Sequence, residues 1–487
     1  MSTSRRIASA VAWNVTAGVG ARVVGLVGTL VLARFVAPGE YGQVSVAAIC
    51  VMTTMQVTNL QLGQYLIVNK HTAKDAAFTA TVIHVGLGLL ALALVFGARD
   101  VLGPWLNAPG MARFVPGFVL AQALERVAQM PERLLARDLR FRLISLTRGL
   151  GELCFTALAV ATAPSVGGMG IVIGNVGRAA FVLAVFAVAG DRDWMKPVLT
   201  TWAKTRDMFV YCLPLALANL TDFAAGKWDN LLVSRYHGAG VAGAYNLAFN
   251  LSATSTGTLA DQILDVLFPS FTSVEPRHRG RALGRAMASM SLLVMPLGLG
   301  LSCVAGTVVR ALFKPEWATI GPMLTVLGIQ AVVLPLSWTL QAYCRAEHRT
   351  RIVMVSSIVR LVVLLGGLVL IGPIGPLWAC VAVNLSAVAS LAVVWGMLTP
   401  GYRPLMRSVA AGVMRPVIAC VPMGLAVLAV HYSFEQFGPV AAWKMLGPEV
   451  VAGAAGYALG AFIFARSTAT DVITLGRQMI GRRPTAA

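Results

Sequence analysis

In a chain as apolar as this one, the ionisable side chains inside the hydrophobic runs are the ones able to do chemistry. Asn14, Gly18, Arg22, Gly25 and Thr29 recur at intervals of three and four, so on a helix they share one face, opposite Val19, Val23 and Leu30. A charge near the centre of an apolar span is costly and marks a functional site by default. The small residues beside Arg22 leave room for close packing or for a cavity, which makes Arg22 either a cavity-lining cation or half of a structural ion pair. In the second half, Asn219, Asp222, Gly226 and Asp229 form one stripe with Lys227 beside it, and Asn246, Asn250, Ala253, Gly257 and Asp261 form another. Asp222 and Asp261 read as the deepest acids. Carboxylates so placed can take up a proton or ligate Na+, or they neutralise one another together with Lys227 and Asp229. Arg178 and Arg360 also fall deep in apolar runs, each facing either a lumen or an acidic partner. Arg148 and Glu152, four apart, read as a local pair. Arg126 is placed to snorkel, and a lone His84 reads as packing or a hydrogen bond before a proton relay.

The elements that must hold these residues are membrane spans. The 487 residues are 57% hydrophobic and 12% charged, with a mean hydropathy of +0.75, where a soluble domain carries about 25% charge. Fourteen runs are long enough to cross a bilayer: 7–33, 41–64, 76–97, 112–130, 143–163, 167–189, 207–232, 241–268, 286–312, 319–342, 352–371, 374–398, 409–431 and 447–465. Of the 39 lysines and arginines, 26 fall at the termini and in every second loop, against seven in the alternate loops. The positive-inside rule then puts both termini and the basic loops in the cytoplasm, against anionic lipid headgroups, and accounts for most of the +19 charge without nucleic acid. No cleavable signal is expected. Trp194 and Trp202 suit an interfacial linker. Pro116, Pro214, Pro296 and Pro335 interrupt spans as kinks or hinges.

Sliding the sequence by 201 residues lays Gly25, Leu30, Arg34, Gly39, Gly42 and Ala47 on Gly226, Leu231, Arg235, Gly240, Gly243 and Ala248. An offset of six spans implies a parallel repeat about an axis along the membrane normal. The expected organisation is an N-terminal six-helix lobe (1–190), a cytoplasmic interfacial linker (191–206), a C-terminal six-helix lobe (207–400), and two extra helices with a basic cytoplasmic tail (401–487). Enzyme chemistry finds no support. There is no GxxxxGK[ST] phosphate loop. Asp191-Arg192-Asp193 stands alone in a short linker, and no outer loop is long enough for a catalytic face. The seven cysteines lie singly and read as small buried hydrophobes. No cofactor and no metal are expected.

At LVLARFVAPGEYGQVSVA (30–47), LGQYLIVNK (62–70), RDLRFRLISLTR (137–148), DNLLVSRYHGAGVAGAYNLA (229–248) and LFPSF (267–271), the sequence resembles Wzx-type polysaccharide flippases. These share a superfamily with multidrug-extrusion transporters and lipid II flippases. The resemblance implies an all-α integral membrane protein of the bacterial cytoplasmic (inner) membrane, with two six-helix lobes in a V around a cationic cavity. It implies a polyprenyl-pyrophosphate-linked oligosaccharide as substrate, H+ or Na+ antiport as the drive, and a polysaccharide polymerase and chain-length regulator as protein partners. Arg22 matches the cavity arginine of the first helix in related flippases. Arg178 and Arg360 are the further cationic candidates, and Asp222, Asp229 and Asp261 the ion-coupling ones. A drug or cation antiporter of the same superfamily, and a membrane glycan polymerase, are the competing readings.

Overall fold

The computed structural model describes residues 20, 24–25, 27–68, 73–190, 195–197, 200–273, 275–436, 441–470 and 474, and among them every regular element is helical. The chain divides into two compact units, Met1–Asn246 and Leu247–Ala487.

The first unit holds α1 (Pro38–Val57), α2 (Leu62–Val68), α3 (Ala73–Trp105), α4 (Val115–Arg137), α5 (Phe141–Val166), α6 (Met169–Ala189) and the first part of α7 (Trp202–Ser273). α1 starts as its sequence dictates: Ala37 is extended, Pro38 takes the first helical turn where its missing N–H costs nothing, and Glu40 lies in that turn. Glu40 also accepts a 2.7 Å bond from Arg113. Val44, Ala47, Val51 and Met55 of α1 meet Leu92, Phe114, Phe118 and Val172 in a core cluster of this unit. α5 packs along α6, and α6 along α4. The outward side of α3 carries Leu89, Leu90, Leu94 and Val101, all exposed, the surface expected to face hydrocarbon.

α7 is a hairpin. A straight helix separates residues 16 apart by about 24 Å, yet the Tyr245 hydroxyl lies 2.6 Å from the Asp229 carboxylate. The chain turns back at Gly238, whose φ of 81° is the left-handed region that glycine enters without a Cβ penalty. The turn joins the runs expected at 207–232 and 241–268. Its first arm packs into the first unit: Trp228 Nε1 donates to Thr53 Oγ1 at 3.2 Å, and Ser234 Oγ donates to the Leu106 carbonyl at 2.8 Å.

Residues equivalent in the 201-residue repeat meet at this turn. A Cβ at Gly42 would fall on the Ala239 carbonyl oxygen and within 3.0 Å of Gly243 N, and one at Gly243 would fall on the Pro38 carbonyl. The two turns thus touch backbone to backbone at Gly42 and Gly243, their matching positions. A second match lies at an offset of 209 residues, where Arg140 and Arg142 fall on Arg349 and Arg351. α4 ends with Leu139 at φ 58°, and α10 (Leu334–Ala346) ends with His348 at φ 57°. Both close with the same pair of backbone bonds, Arg140 N to Leu135 O (2.9 Å) with Leu139 N to Ala136 O, and Arg349 N to Cys344 O (2.8 Å) with His348 N to Arg345 O. This is the Schellman pattern of a helix end.

The second unit holds the rest of α7, then α8 (Pro276–Leu312), α9 (Ile320–Gly328), α10, α11 (Thr350–Leu370), α12 (Pro376–Gln436) and α13 (Ala442–Phe464). Phe271, Met287, Leu340, Tyr343, Val394 and Val413 form its main core. Pro335 opens α10 after a 3-10 turn at Ile329–Val332 and so divides the tenth expected span, while Pro116 opens α4. α12 continues through the break expected near residue 400; proline is tolerated within helices where neighbours or water satisfy the freed carbonyl. α13 lies along α12 on a row of small residues. A Cβ at Gly460 would meet the Ala419 carbonyl and one at Gly456 the Pro422 carbonyl, the close approach that small-residue spacing permits.

Among the described residues, ten helices are long and apolar enough to cross a membrane. The difference from fourteen has three sources. The α7 hairpin counts once for two expected spans, the charged α4 and the polar-rich α1 are not among the ten, and most of 7–33 lies outside the described residues.

Candidate functional site: the buried charges of the bundle

Among the described acids of the first unit, the most deeply buried is Asp229, with no exposed surface. It sits nine residues before the Gly238 turn, about 13 Å along the helix. Its Oδ1 accepts from the backbone N–H and the side-chain amide of Asn230, both at 2.8 Å, and its Oδ2 accepts from Tyr245. Asn246 Nδ2 donates to Asn230 Oδ1 at 2.9 Å. The two arms of the hairpin are therefore joined by a network of four polar side chains, the Asp229 carboxylate with Asn230, Tyr245 and Asn246. Asp222 and Asp261, unlike Asp229, are exposed. The 7-residue step from 222 to 229 keeps both on one helix face, but only Asp229 lies where the returning arm covers it. Tyr245 was not singled out in the sequence because its role depends on that reversal.

Between α4, α5 and α6 the arginines are held by glutamates. Arg148 donates to Glu132 Oε2 at 2.6 Å and Oε1 at 3.2 Å, and also pairs with Glu125. Arg178 donates to Glu152 Oε1 at 2.7 Å and to Asn175 Oδ1 at 3.2 Å, while its Nε has no hydrogen-bond partner. The expected Arg148–Glu152 pair is thus replaced by three pairs across helices. Side chains one turn apart on α5 each face a different neighbour, and α4 and α6 supply the better-aimed partners.

Arg126 does not snorkel. It is 2% exposed and donates to the carbonyls of His84 (2.9 Å), Met55 (3.2 Å) and Thr58 (2.8 Å). Met55 and Thr58 lie at the end of α1, where helix carbonyls lack intrahelical donors. One guanidinium ties α1, α3 and α4 together and satisfies that helix end. His84 is also 2% exposed; neither ring nitrogen has a hydrogen-bond partner, and it borders a small cavity with Asn59, Gln61, Gln129 and Arg133.

Arg22 lies outside the described residues, as does the Asp191-Arg192-Asp193 segment with Trp194. Arg360 is half-buried at the middle of α11 in the second unit. Five of the seven cysteines are buried and Cys303 is exposed. A second buried acid, Glu449 on α13, escaped the sequence reading; a lone acid within an apolar run was the available signal, and its partners come from two other helices.

The pattern of the polysaccharide biosynthesis protein family matches residues 31–322. The lipopolysaccharide biosynthesis protein WzxC of Escherichia coli is 24% identical over 71% of this chain and 72% of its own. The succinoglycan biosynthesis transport protein ExoT of Rhizobium meliloti is 23% identical over 98% of this chain and 96% of its own. Among solved structures, the lipid II flippase MurJ in an inward closed conformation covers 93% of this chain with 98% of its own at a TM-score of 0.75 and 14% identity. An inward-facing multidrug resistance MATE transporter covers 82% with 94% of its own at a TM-score of 0.54.

Proposed function

We propose that this chain, which belongs to the polysaccharide biosynthesis protein family, is a multi-pass membrane flippase for polyprenyl-pyrophosphate-linked oligosaccharide repeat units. The observation that carries the reading is the full-length match to a transport protein of succinoglycan biosynthesis, spanning 98% of this chain. The physical task fits an all-helical bundle with buried charges. A pyrophosphate and a glycan cross hydrocarbon unaided only at prohibitive cost, whereas guanidinium groups match phosphate oxygens through paired hydrogen bonds. Arg22, Arg178 and Arg360 are the proposed phosphate-binding cations, with Glu152 orienting Arg178. The polyprenyl tail remains in lipid. Alternating exposure of two six-helix lobes, driven by H+ or Na+ exchange, supplies the direction. Asp229, gripped between the hairpin arms, is the proposed coupling carboxylate, with Asp222 and Asp261 as exposed way-stations. Both termini are cytoplasmic in this scheme.

A second reading, a drug or cation antiporter, is favoured by the fold shared with MATE transporters. Deletion of the gene separates them: cytoplasm-facing, lipid-linked repeat units accumulate under the first reading, while unchanged polysaccharide with raised drug sensitivity supports the second. At equal membrane levels Arg22→Ala is expected to abolish export and Arg22→Lys to keep part of it. Full export by Arg22→Ala removes Arg22 from the mechanism.

A further inference from the structure

α8, α12 and α13 pack against one another, and between them lies a cluster of titratable groups that the transport scheme does not use. Glu449, eight residues into the 23-residue α13, has no exposed surface. Its Oε1 accepts from Thr307 Oγ1 on α8 at 3.1 Å and lies 2.7 Å from His431 Nδ1 on α12. Its Oε2 is buried without a hydrogen-bond partner. The other ring nitrogen of His431 lies 3.4 Å from Oε1 of Glu435, which is exposed. The imidazole, 28% exposed, thus stands between a carboxylate at the surface and one sealed in the interior.

An ionised carboxylate with a bare oxygen among apolar helices is unstable unless its charge is neutralised. Thr307 supplies a hydrogen bond but no charge. The remaining charged groups at this end of the three helices, Arg310 on α8 and Lys444 on α13, are exposed, and Lys444 lies over the Trp443 ring. Cys303, one turn before Thr307, is also exposed. The pair is neutral when one proton is shared between His431 and Glu449, whether as imidazolium and carboxylate or as imidazole and carboxylic acid. A 2.7 Å separation is that of a charge-assisted bond. Without that proton the interior holds a net negative charge.

We propose that Glu449 and His431 form a proton-binding site in the C-terminal helix pair, loaded through Glu435. On α8, Thr307 lies 22 residues beyond Arg285 of the basic run, about 33 Å along the helix, so the site opens on the membrane face opposite the basic loops. The proton arrives at Glu435, passes to Nε2 of His431, and leaves from Nδ1 towards Oε1 of Glu449. Bonds are conserved at each step, and one N–H or O–H forms as another breaks. The site needs no lipid-linked substrate. Its readout is proton binding by the purified protein, so it stands or falls separately from the transport reading.

The full-length protein in lipid nanodiscs is stepped from about pH 8 to about pH 5, across the histidine range. Proton uptake is counted with a pH dye, and the carboxyl stretch is recorded by infrared difference spectroscopy. Glu449→Gln is expected to take up one proton fewer per chain than wild type and to lose an apolar-carboxyl band; equal uptake with the band intact overturns the site. Should Glu449→Gln not fold, two variants carry the test. Thr307→Val is expected to shift the band by removing the donor to Oε1, and Glu435→Gln to keep it while slowing its appearance after the pH step. A band unmoved in the first and unslowed in the second overturns the proposal.

Discussion

Replacing Gly42 with alanine tests the contact between the two turns. The added Cβ would fall on the Ala239 carbonyl oxygen, 2.6 Å from its carbon and 3.0 Å from Gly243 N. The tightest approach is 1.7 Å to the oxygen, while non-bonded atoms rest about 3.5 Å apart, so the backbones must separate by roughly 1.5–2 Å. The obstacle is backbone, and Ala239→Gly offers no relief. Overpacking of this kind costs about 1–3 kcal/mol. Alanine also gains about 1 kcal/mol of helix propensity over glycine, and Gly39→Ala supplies the control: same turn, same chemistry, no atom within 4 Å of the new Cβ. The two variants are therefore expected to differ by about 1–3 kcal/mol, or roughly 2–10 °C in melting temperature for a unit of this size. Thermal unfolding of the purified proteins in detergent, followed by tryptophan fluorescence, reads that difference. If Gly42→Ala melts at or above Gly39→Ala, the turns are not in backbone contact and the argument fails.

Tyr245→Phe removes one hydroxyl and leaves Asp229 Oδ2 without its donor; a loss of about 1–3 kcal/mol is expected, and a double-mutant cycle with Asp229→Asn should show the two coupled by about 0.5–3 kcal/mol. Additive effects refute the network. Arg148→Met strands Glu125 and Glu132 and should cut the yield of monodisperse protein, with Glu125→Gln and Glu132→Gln together restoring much of it; no rescue refutes the pairing. Arg126→Lys keeps the charge but replaces a planar fork by a point donor unable to reach three carbonyls. It should lower the melting temperature nearly as far as Arg126→Met, and wild-type stability for the lysine variant contradicts the staple.

The all-helical class, most of the long apolar helices and the first repeat match were legible because they are written in residue types: apolar runs, and glycines where backbones must touch. The match of the Leu139 and His348 turns was not, since it lies at an offset of 209 residues and a slide of 201 passes over it, although Arg140 and Arg142 fall on Arg349 and Arg351. Arg148 and Glu152 show a second limit. Spacing by four says that two groups can meet, not that no better partner waits on the next helix. The same holds for Asp222, Asp229 and Asp261, which look alike along a helical stripe until the hairpin decides which of them is covered. Arg126 was misjudged because its partners are carbonyl groups, which every residue possesses and no sequence advertises.

Gly42 and Gly243 carry one more consequence. If the chain descends from two copies of a shorter one, the ancestor was a symmetric pair in which this glycine met its own twin. At such a point a single substitution inserts two side chains into one space. Most changes in a self-paired ancestor were felt twice at separate places; this one was felt twice at the same place. After fusion the two positions became free to vary independently, yet each still meets main chain when given a Cβ. Fusion therefore relaxed the genetic constraint here without relaxing the steric one.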